Sequence, residues 1–373
     1  MPFSVRPVQD QDAPAINALH ESVGWPVRSE AGWRWLLNHP ARTAAGAAAG
    51  WLLVDGDGVP RGHTGNFVQT FWRGQEALFG TSGYSIVVQP SARGHSRMLL
   101  RAFAEQPGMF ARYTLNANPR SSPLFPRYGL HPWPTATHAL KLSWRLDTIT
   151  CAVGRLWREI DKRAPTLVDP KRERFLNRRL IDGGPLVLPP RVTVLSDFSD
   201  RSRFGDFWAA LRSEGRILAD RSPATLRWRL SDPDRTLEPI VLAFNRGRAV
   251  TGYAMAMIAK ANVIEPPVLE ILDLVALRDE PRAIPALMQA FLANARELGA
   301  AKVRIQVVNE VLLRQLGPLA AAARREGGWG HCHVRFDPDI ESIGTWAPTP
   351  FDGDYQVCLR PIPIAGTQRA MAA

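Results

Sequence analysis

The stretch Tyr84 to Phe103, YSIVVQPSARGHSRMLLRAF, gathers residue types that hold an anion. Residues 84–88 are rich in β-branched and aromatic side chains and favour a strand. Gln89-Pro90 ends it, because proline has no N–H for a ladder and restricts the residue before it. From Met98 the apolar positions Met98, Leu99, Ala102 and Phe103 follow helical spacing, so the turn Ser91 to Arg97 lies at a helix N-terminus. Backbone N–H groups there have no intrahelical partner. Arg93, Gly94, His95, Ser96 and Arg97 add two guanidiniums and a glycine that lets backbone approach a ligand. Phosphate is the usual occupant of such a terminus. A second motif follows at Tyr113 to Gly129, YTLNANPRSSPLFPRYG: a strand, Asn116 and Asn118, then a helix-like stretch closing on Tyr128-Gly129.

The order strand, Val-x-Pro-x-x-Arg-Gly-x, helix resembles the pyrophosphate loop of the GNAT acyltransferases. The second motif is similar to that family's later one, in which an asparagine after a strand starts a helix closing on Tyr-x-x-x-Gly-Phe. The resemblance implies acyl-coenzyme A, acetyl-coenzyme A in the first instance, as cosubstrate and a primary amine of a small molecule or protein as acceptor. It implies pyrophosphate held by Arg93, Gly94, His95, Ser96 and Arg97, and a thioester carbonyl polarised by backbone N–H groups of Ile86, Val87 and Val88. Asn118 and Phe125 would flank the coenzyme. This chain departs from the pattern in two places. Ser96 and Met98 stand where small residues are usual, and Phe125 stands where the family carries the tyrosine that protonates the departing thiolate. A phenyl ring has no proton to give, so Tyr84 and Tyr128 become the candidate acids. Glu76, His63 and His95 are the candidate bases for the amine proton.

The elements that must position these residues run in order along the chain. Phe3 to Pro7 reads as a strand, and Ala15, Ile16, Leu19 and Val23 form the apolar face of a helix. A second helix over Ser29 to Asn38 carries Trp33 and Trp35. Strands at Trp51 to Val54 and Gly65 to Trp72 flank the turn residues Asp55-Gly56-Asp57-Gly58, Ala77 to Val88 leads into the anion turn, and Ala136 to Leu146 reads as the closing strand of the same sheet. Between Arg155 and Arg179 nine Lys/Arg meet four Asp/Glu, a basic connector with two short helices. The pattern then begins again. Leu226 to Pro233, LRWRLSDP, echoes Trp33 to Pro40, WRWLLNHP, at a spacing of 193 residues, which points to duplication. Ala283 to Leu298 is a helix apolar at Ile284, Leu287, Phe291, Leu292, Ala295 and Leu298, but the turn before it reads Arg278-Asp279-Glu280-Pro281-Arg282. Two carboxylates there would repel phosphate.

The expected architecture is α/β, with two GNAT-like domains, each a twisted mixed β-sheet flanked by helices. The expected boundaries are 1–146 for the coenzyme-binding domain, 147–190 for the basic helical connector, 191–361 for a degenerate second copy and 362–373 for a flexible tail. The 373 residues are 45% hydrophobic and 22% charged, a globular balance. The longest apolar run, Ala44 to Val54, is eleven residues, short of the ~18 a membrane span needs. Three cysteines make neither a disulfide framework nor a paired zinc motif, so a cytoplasmic protein without a metal is expected. His331-Cys332-His333 and the tryptophans Trp33, Trp35 and Trp228 are read as structural. The net charge of +11 could serve RNA or the anionic coenzyme; its scattered placement argues against nucleic acid as partner. Two other classes compete: a binding or scaffold protein that has lost catalysis, consistent with Met98 and Phe125, and a Fem-type aminoacyl transferase, also a tandem of this fold, which would hold aminoacyl-tRNA.

Overall fold

The structure, a computed structural model, describes residues 2–163, 170–180, 185–262, 264–327, 330–340 and 343–361. The chain begins with β1 (Ser4–Pro7), α1 (Ala13–Glu21), α2 (Glu30–Leu37), α3 (Pro40–Ala45), β2 (Gly50–Val54), β3 (Pro60–Arg73) and β4 (Glu76–Val88). It continues with α4 (Ser96–Ala104), β5 (Ala111–Ala117), β6 (His131–Pro132), β7 (Lys141–Arg145), α5 (Thr148–Arg163) and α6 (Pro170–Leu176). Then come β8 (Val192–Val194), α7 (Arg203–Ser213), β9 (Ile217–Ala219), α8 (Pro223–Leu230), β10 (Ile240–Arg246), β11 (Ala249–Ala259) and β12 (Val268–Ala276). The last elements are α9 (Ala283–Ala295), β13 (Lys302–Ile305), α10 (Glu310–Leu316), α11 (Pro318–Ala322), β14 (Arg324–Glu326) and β15 (His331–Phe336). No helix among the described residues is long and apolar enough to cross a membrane.

Two compact units divide the chain. The first comprises Met1–Leu140, Trp208–Arg235 and Gly327–Leu359; the second comprises Lys141–Phe207, Thr236–Glu326 and Arg360–Ala373. The sheet of the first unit runs β1-β2-β3-β4-β5-β15-β6, with β9 added on β3. Its first four strands are antiparallel, and β4 pairs in parallel with β5 through the crossover helix α4. Alternation along the strands divides its apolar residues between two faces. One packs Ile16, Leu19, Trp33, Leu36 and Leu37 of α1 and α2 on Leu52, Phe67, Tyr84 and Val87. The other packs Leu99, Leu100, Phe103 and Ala104 of α4 on Trp51, Leu53, Ile86 and Val88. Each such leucine or phenylalanine contributes about 1.5–3 kcal/mol by leaving water.

The second unit's sheet runs β8-β10-β11-β12-β13-β7-β14. Again the early strands are antiparallel, and β12 and β13 form a parallel pair joined through α9. In both sheets the strand beyond the parallel pair is drawn from a distant part of the chain. This corrects the expected boundaries. The strand within Ala136 to Leu146, read as closing the first sheet, is β7, which pairs with β13 and β14 in the second. The first sheet takes β15, paired with β5 and β6, and its unit also takes Trp208–Arg235 and Gly327–Leu359 from the span assigned to the second copy. Residue pattern makes a segment a strand; which sheet edge it joins depends on long-range packing that neighbouring residues do not encode. The expected tail at 362–373 lies outside the described residues.

Candidate functional site

The first sheet opens where the Ser91–Arg97 turn begins. β4 and β5 pair only over Gly80–Ser82 and Ala111–Tyr113. Beyond that short ladder, the end of β4 keeps its partner on one side only, with Gly65 opposite Tyr84, His63 opposite Val87 and Gly62 opposite Val88. Its other edge, facing β5, therefore offers backbone N–H and C=O groups to an extended ligand. One extra residue on β4 bends the strand there: Ser85 has φ of 49°, a left-handed conformation that a β-bulge stores. The Tyr84 ring lies over Gly65, where a Cβ would fall 2.2 Å from it, so only glycine fits beneath.

The opened edge runs directly into the turn. Gln89 N–H donates to Arg61 O at 2.8 Å, and Pro90–Ala92 make a single 3-10 turn. Gly94 is exposed with φ of 91°, and no heavy atom lies within 4 Å of the place a Cβ would occupy, so the backbone faces open space. Arg93 and Arg97 are exposed, Ser96 and His95 half-buried, and the first turn of α4 holds no acidic residue. The His95 ring packs on Phe3 at 4.2 Å. Met98, long where a small residue is usual, packs on the core beneath α4.

The second motif forms as a tighter helix than its sequence was read to make. Asn118 Oδ1 accepts from the N–H groups of Arg120 and Ser121, both at 2.9 Å, and so starts the segment. Ser122–Tyr128 is a 3-10 helix, with Pro126 inside it, ended by Gly129 at φ of 76°. Side chains three apart eclipse in a 3-10 helix, so Tyr128 points the way Phe125 does, one turn or about 6 Å further on. Phe125 is buried under α4 and stacks on His333 at 5.4 Å, and Tyr128 borders the same cluster. Ser122, on that face too, lies 2.9 Å from His331 Nδ1 and 2.7 Å from His333 Nε2. Burial, with His138 and His331 alongside, pushes the His333 ring down to about 4.

Tyr84 belongs to the opposite face of the sheet from Tyr128. It is 7% exposed, and its hydroxyl has no hydrogen-bond partner among the described residues. Burial raises its pKa well above the ordinary phenol value, with Arg28 opposing and Cys358 and Asp354 adding to the rise. Arg28 is fixed by paired bonds to Asp232 at 2.9 and 3.0 Å. The three expected bases fare poorly. Glu76 pairs with Arg73 at the hairpin end of β4, about 40 Å of strand from Val88. His63 is 1% exposed and held down to about 3 by burial, with His20 5.6 Å away, which leaves it a weak base with little room for a substrate. His95 packs against Phe3 as described above, on the α4 side.

Sequence reasoning missed the segment Pro350 to Cys358, which it placed in the second domain. Tyr113 Oη donates to Asp352 O at 2.7 Å and Tyr355 Oη to Leu115 O at 2.8 Å, fixing the segment to β5. Arg28 Nη2 donates to Val357 O at 2.6 Å, and Cys358 Sγ lies 3.9 Å from Ser85 Oγ on β4. Leu115 and Ser85 both lie past the end of the β4–β5 ladder, so the segment bridges the two parted strands on the Tyr84 face. No local motif announces this. Ser85 and Ser122 were missed as well, although Pro123 and Pro126 were a signal that the second helix is not α-helical. The tryptophans are packed: Trp35 and Trp228 stack at 4.3 Å, and Trp33 Nε1 donates to Asn17 Oδ1 at 2.8 Å. Trp228 also walls a cavity of about 210 Å³ with His39, Gln69, Asp220, Thr225 and Arg229.

No family model and no curated protein matches the sequence. Solved structures do match in fold. A probable N-acyltransferase from Enterococcus faecalis V583, a conserved protein of unknown function, is 10% identical with a TM-score of 0.53, over 90% of this chain and 73% of that one. A GCN5-related N-acetyltransferase from Anabaena variabilis is 13% identical with a TM-score of 0.52, over 90% and 73%. Another from Kribbella flavida is 14% identical with a TM-score of 0.50, over 90% and 72%. At such identities the likeness is one of fold. The chain has a GNAT-type α/β fold of two mixed sheets flanked by helices.

Proposed function

From the GNAT-type fold, we propose that the first unit transfers an acyl group, acetyl in the first instance, from acyl-coenzyme A to a primary amine. One observation carries the reading: β4 parts from β5 after Ser82, and its opened edge leads straight into an exposed, arginine-bearing helix N-terminus. Arg93, Gly94, His95, Ser96 and Arg97 would hold the pyrophosphate, with the N–H groups of the first turn of α4 as donors. The pantetheine would lie along the edge of β4, its thioester carbonyl polarised by N–H groups among Ile86, Val87 and Val88. Asn118 sets the start of the 3-10 helix, and Phe125 forms its wall. Tyr84 and Tyr128 are the hydroxyls available to the leaving sulfur. The second unit, with the same strand order, is read as a duplicated copy that has lost the coenzyme turn, and the protein as cytoplasmic.

Calorimetry with acetyl-coenzyme A tests this directly. One site per chain is expected, with release of the coenzyme thiol when an amine is added. Two equal sites, or none, would overturn the assignment.

A further inference from the structure

We infer that Asp354 takes the proton from the incoming amine. The inference rests on the acyl-transfer reading above and names the base that the sequence motifs leave unfilled. Amine attack needs one: an alkylammonium must shed a proton before its nitrogen can bond to the carbonyl carbon and the carbon–sulfur bond can break. Glu76 is at the wrong end of β4, His63 is buried and a weak base, and His95 is packed against Phe3.

Asp354 is placed where they are not. It sits in the segment that bridges the parted ends of β4 and β5, 7% exposed, with its backbone carbonyl accepting from the N–H groups of Val357 and Cys358 at 3.1 and 2.9 Å. That turn holds the carboxylate in one orientation. Its Oδ2 accepts from Cys358 Sγ at 3.3 Å, and Cys358 Sγ in turn lies 3.9 Å from Ser85 Oγ, so a single sulfur separates the carboxylate from the bulge of β4. The Tyr84 side chain, 7% exposed, shares the same face, and its hydroxyl makes no hydrogen bond among the described residues. The Asp354 carboxylate and the Tyr84 phenol are near enough for the one to raise the pKa of the other, and Arg28, anchored on Asp232 and on Val357 O, is the nearby fixed cation.

The protons balance. An alkylammonium loses one to become a nucleophile and a second as the C–N bond forms. Asp354 receives the first and passes it to solvent. The second leaves as the carbon–sulfur bond breaks and replaces the proton that Tyr84 or water gives to the thiolate of coenzyme A.

The test uses the full chain, acetyl-coenzyme A and two surrogate acceptors, with thiol release as the readout. Ethylamine is protonated at neutral pH, as a lysine side chain is, whereas hydroxylamine is uncharged and attacks with little help from a base. Asp354→Asn should slow the ethylamine reaction by about 10²–10⁴-fold, the usual worth of a general base, while the hydroxylamine rate and the coenzyme affinity stay within a few-fold. Asp354→Glu should recover part of the ethylamine rate. A merely structural role would depress both acceptors alike. Equal losses with both acceptors, an unfolded or coenzyme-blind Asp354→Asn, or an ethylamine rate like that of wild type would each overturn the assignment. Wild-type protein that releases no thiol with either acceptor would overturn the transferase reading itself and this inference with it.

Discussion

The turn before α4 and the turn before α9 join equivalent strands and helices, yet they treat charge in opposite ways. Both follow the fourth strand of their sheets, antiparallel on one side and parallel on the other, and both strands carry a bulge, at Ser85 in β4 and at the register shift between β11 and β12. Both parallel ladders are short, Gly80–Ser82 with Ala111–Tyr113 and Val268–Ile271 with Lys302–Ile305. At α4 the helix start is open, with Arg93, Gly94 and Arg97 exposed. At α9 it is closed. Glu280 is 2% exposed with Arg282 Nε 3.5 Å away, Asp279 pairs with Arg246 at 3.0 Å, and Ala283 packs so near Gly252 that a Cβ on that glycine would fall 2.7 Å from it. The Glu280 carboxylate supplies, from inside the chain, negative charge at the helix N-terminus. The comparison teaches that a strand-turn-helix frame alone does not make an anion site. Exposure and the lack of an internal carboxylate set the first turn apart, and the proposed function rests on that difference.

The largest effect should come from making the first turn resemble the second. Gly94→Glu adds a carboxylate where phosphate would bind and a Cβ at a φ of 91° that side chains rarely adopt, so acetyl-coenzyme A affinity should fall at least about 100-fold by calorimetry. Affinity unchanged in this variant would break the comparison.

Next come the hydroxyls on the two faces of the first sheet. Tyr128→Phe or Tyr84→Phe should lower turnover by roughly 10²–10⁴ if that hydroxyl serves the leaving sulfur, while Phe125→Tyr should leave it unchanged or raise it a few-fold. Steady-state rates with acetyl-coenzyme A and ethylamine decide between the two. Full rates in both Tyr→Phe variants would remove both from the mechanism.

Acid should separate the two units. In the first, burial holds His20 at about 4, His39 and His63 at about 3 and His333 at about 4, below the 6.5 of a free imidazole. The unfolded chain takes up protons that the fold refuses, so the stability these rings contribute is full above pH 6.5. It is lost as pH falls from there toward 4 and then 3, on the order of a few kcal/mol per ring. In the second unit Glu270, held at about 2 despite burial by Arg304 and Arg360, loses its contribution only below the usual 4.5. Calorimetric melts at pH 7 and pH 5 should show the first unit's transition falling further. An equal fall in both would contradict the assignment of acid sensitivity to these rings.

The smallest effect should come from the second turn. Glu280→Gln removes one carboxylate but leaves Asp279 and the buried helix start, so coenzyme stoichiometry should stay at one and affinity within two-fold. A second site in this variant would show that charge alone, and not exposure, silences that turn.

Much of the molecule could be read from adjacent residues because adjacent residues cause it. Val88 to Pro90 ends β4 since proline cannot join a ladder, Gly94 takes a positive φ since it lacks a Cβ, and Leu99 and Phe103 place α4 on the sheet by their spacing. The recurrence of Trp33 to Pro40 in Leu226 to Pro233 likewise marks two helices, α2 and α8. What the tertiary structure alone decided are the choices between partners of equal local quality. Ala136 to Leu146 reads as a closing strand for the first sheet, yet β7 within it joined the second, and the first took β15 from the other end of the chain. The parting of β4 from β5 follows from sheet geometry and a bulge, and the placement of Pro350 to Cys358 across the opening follows from bonds to Tyr113, Leu115 and Arg28, more than two hundred residues away in sequence. Such contacts leave no periodicity behind, because hydrogen bonds and burial depend on position in space, and position in space is set by the whole chain.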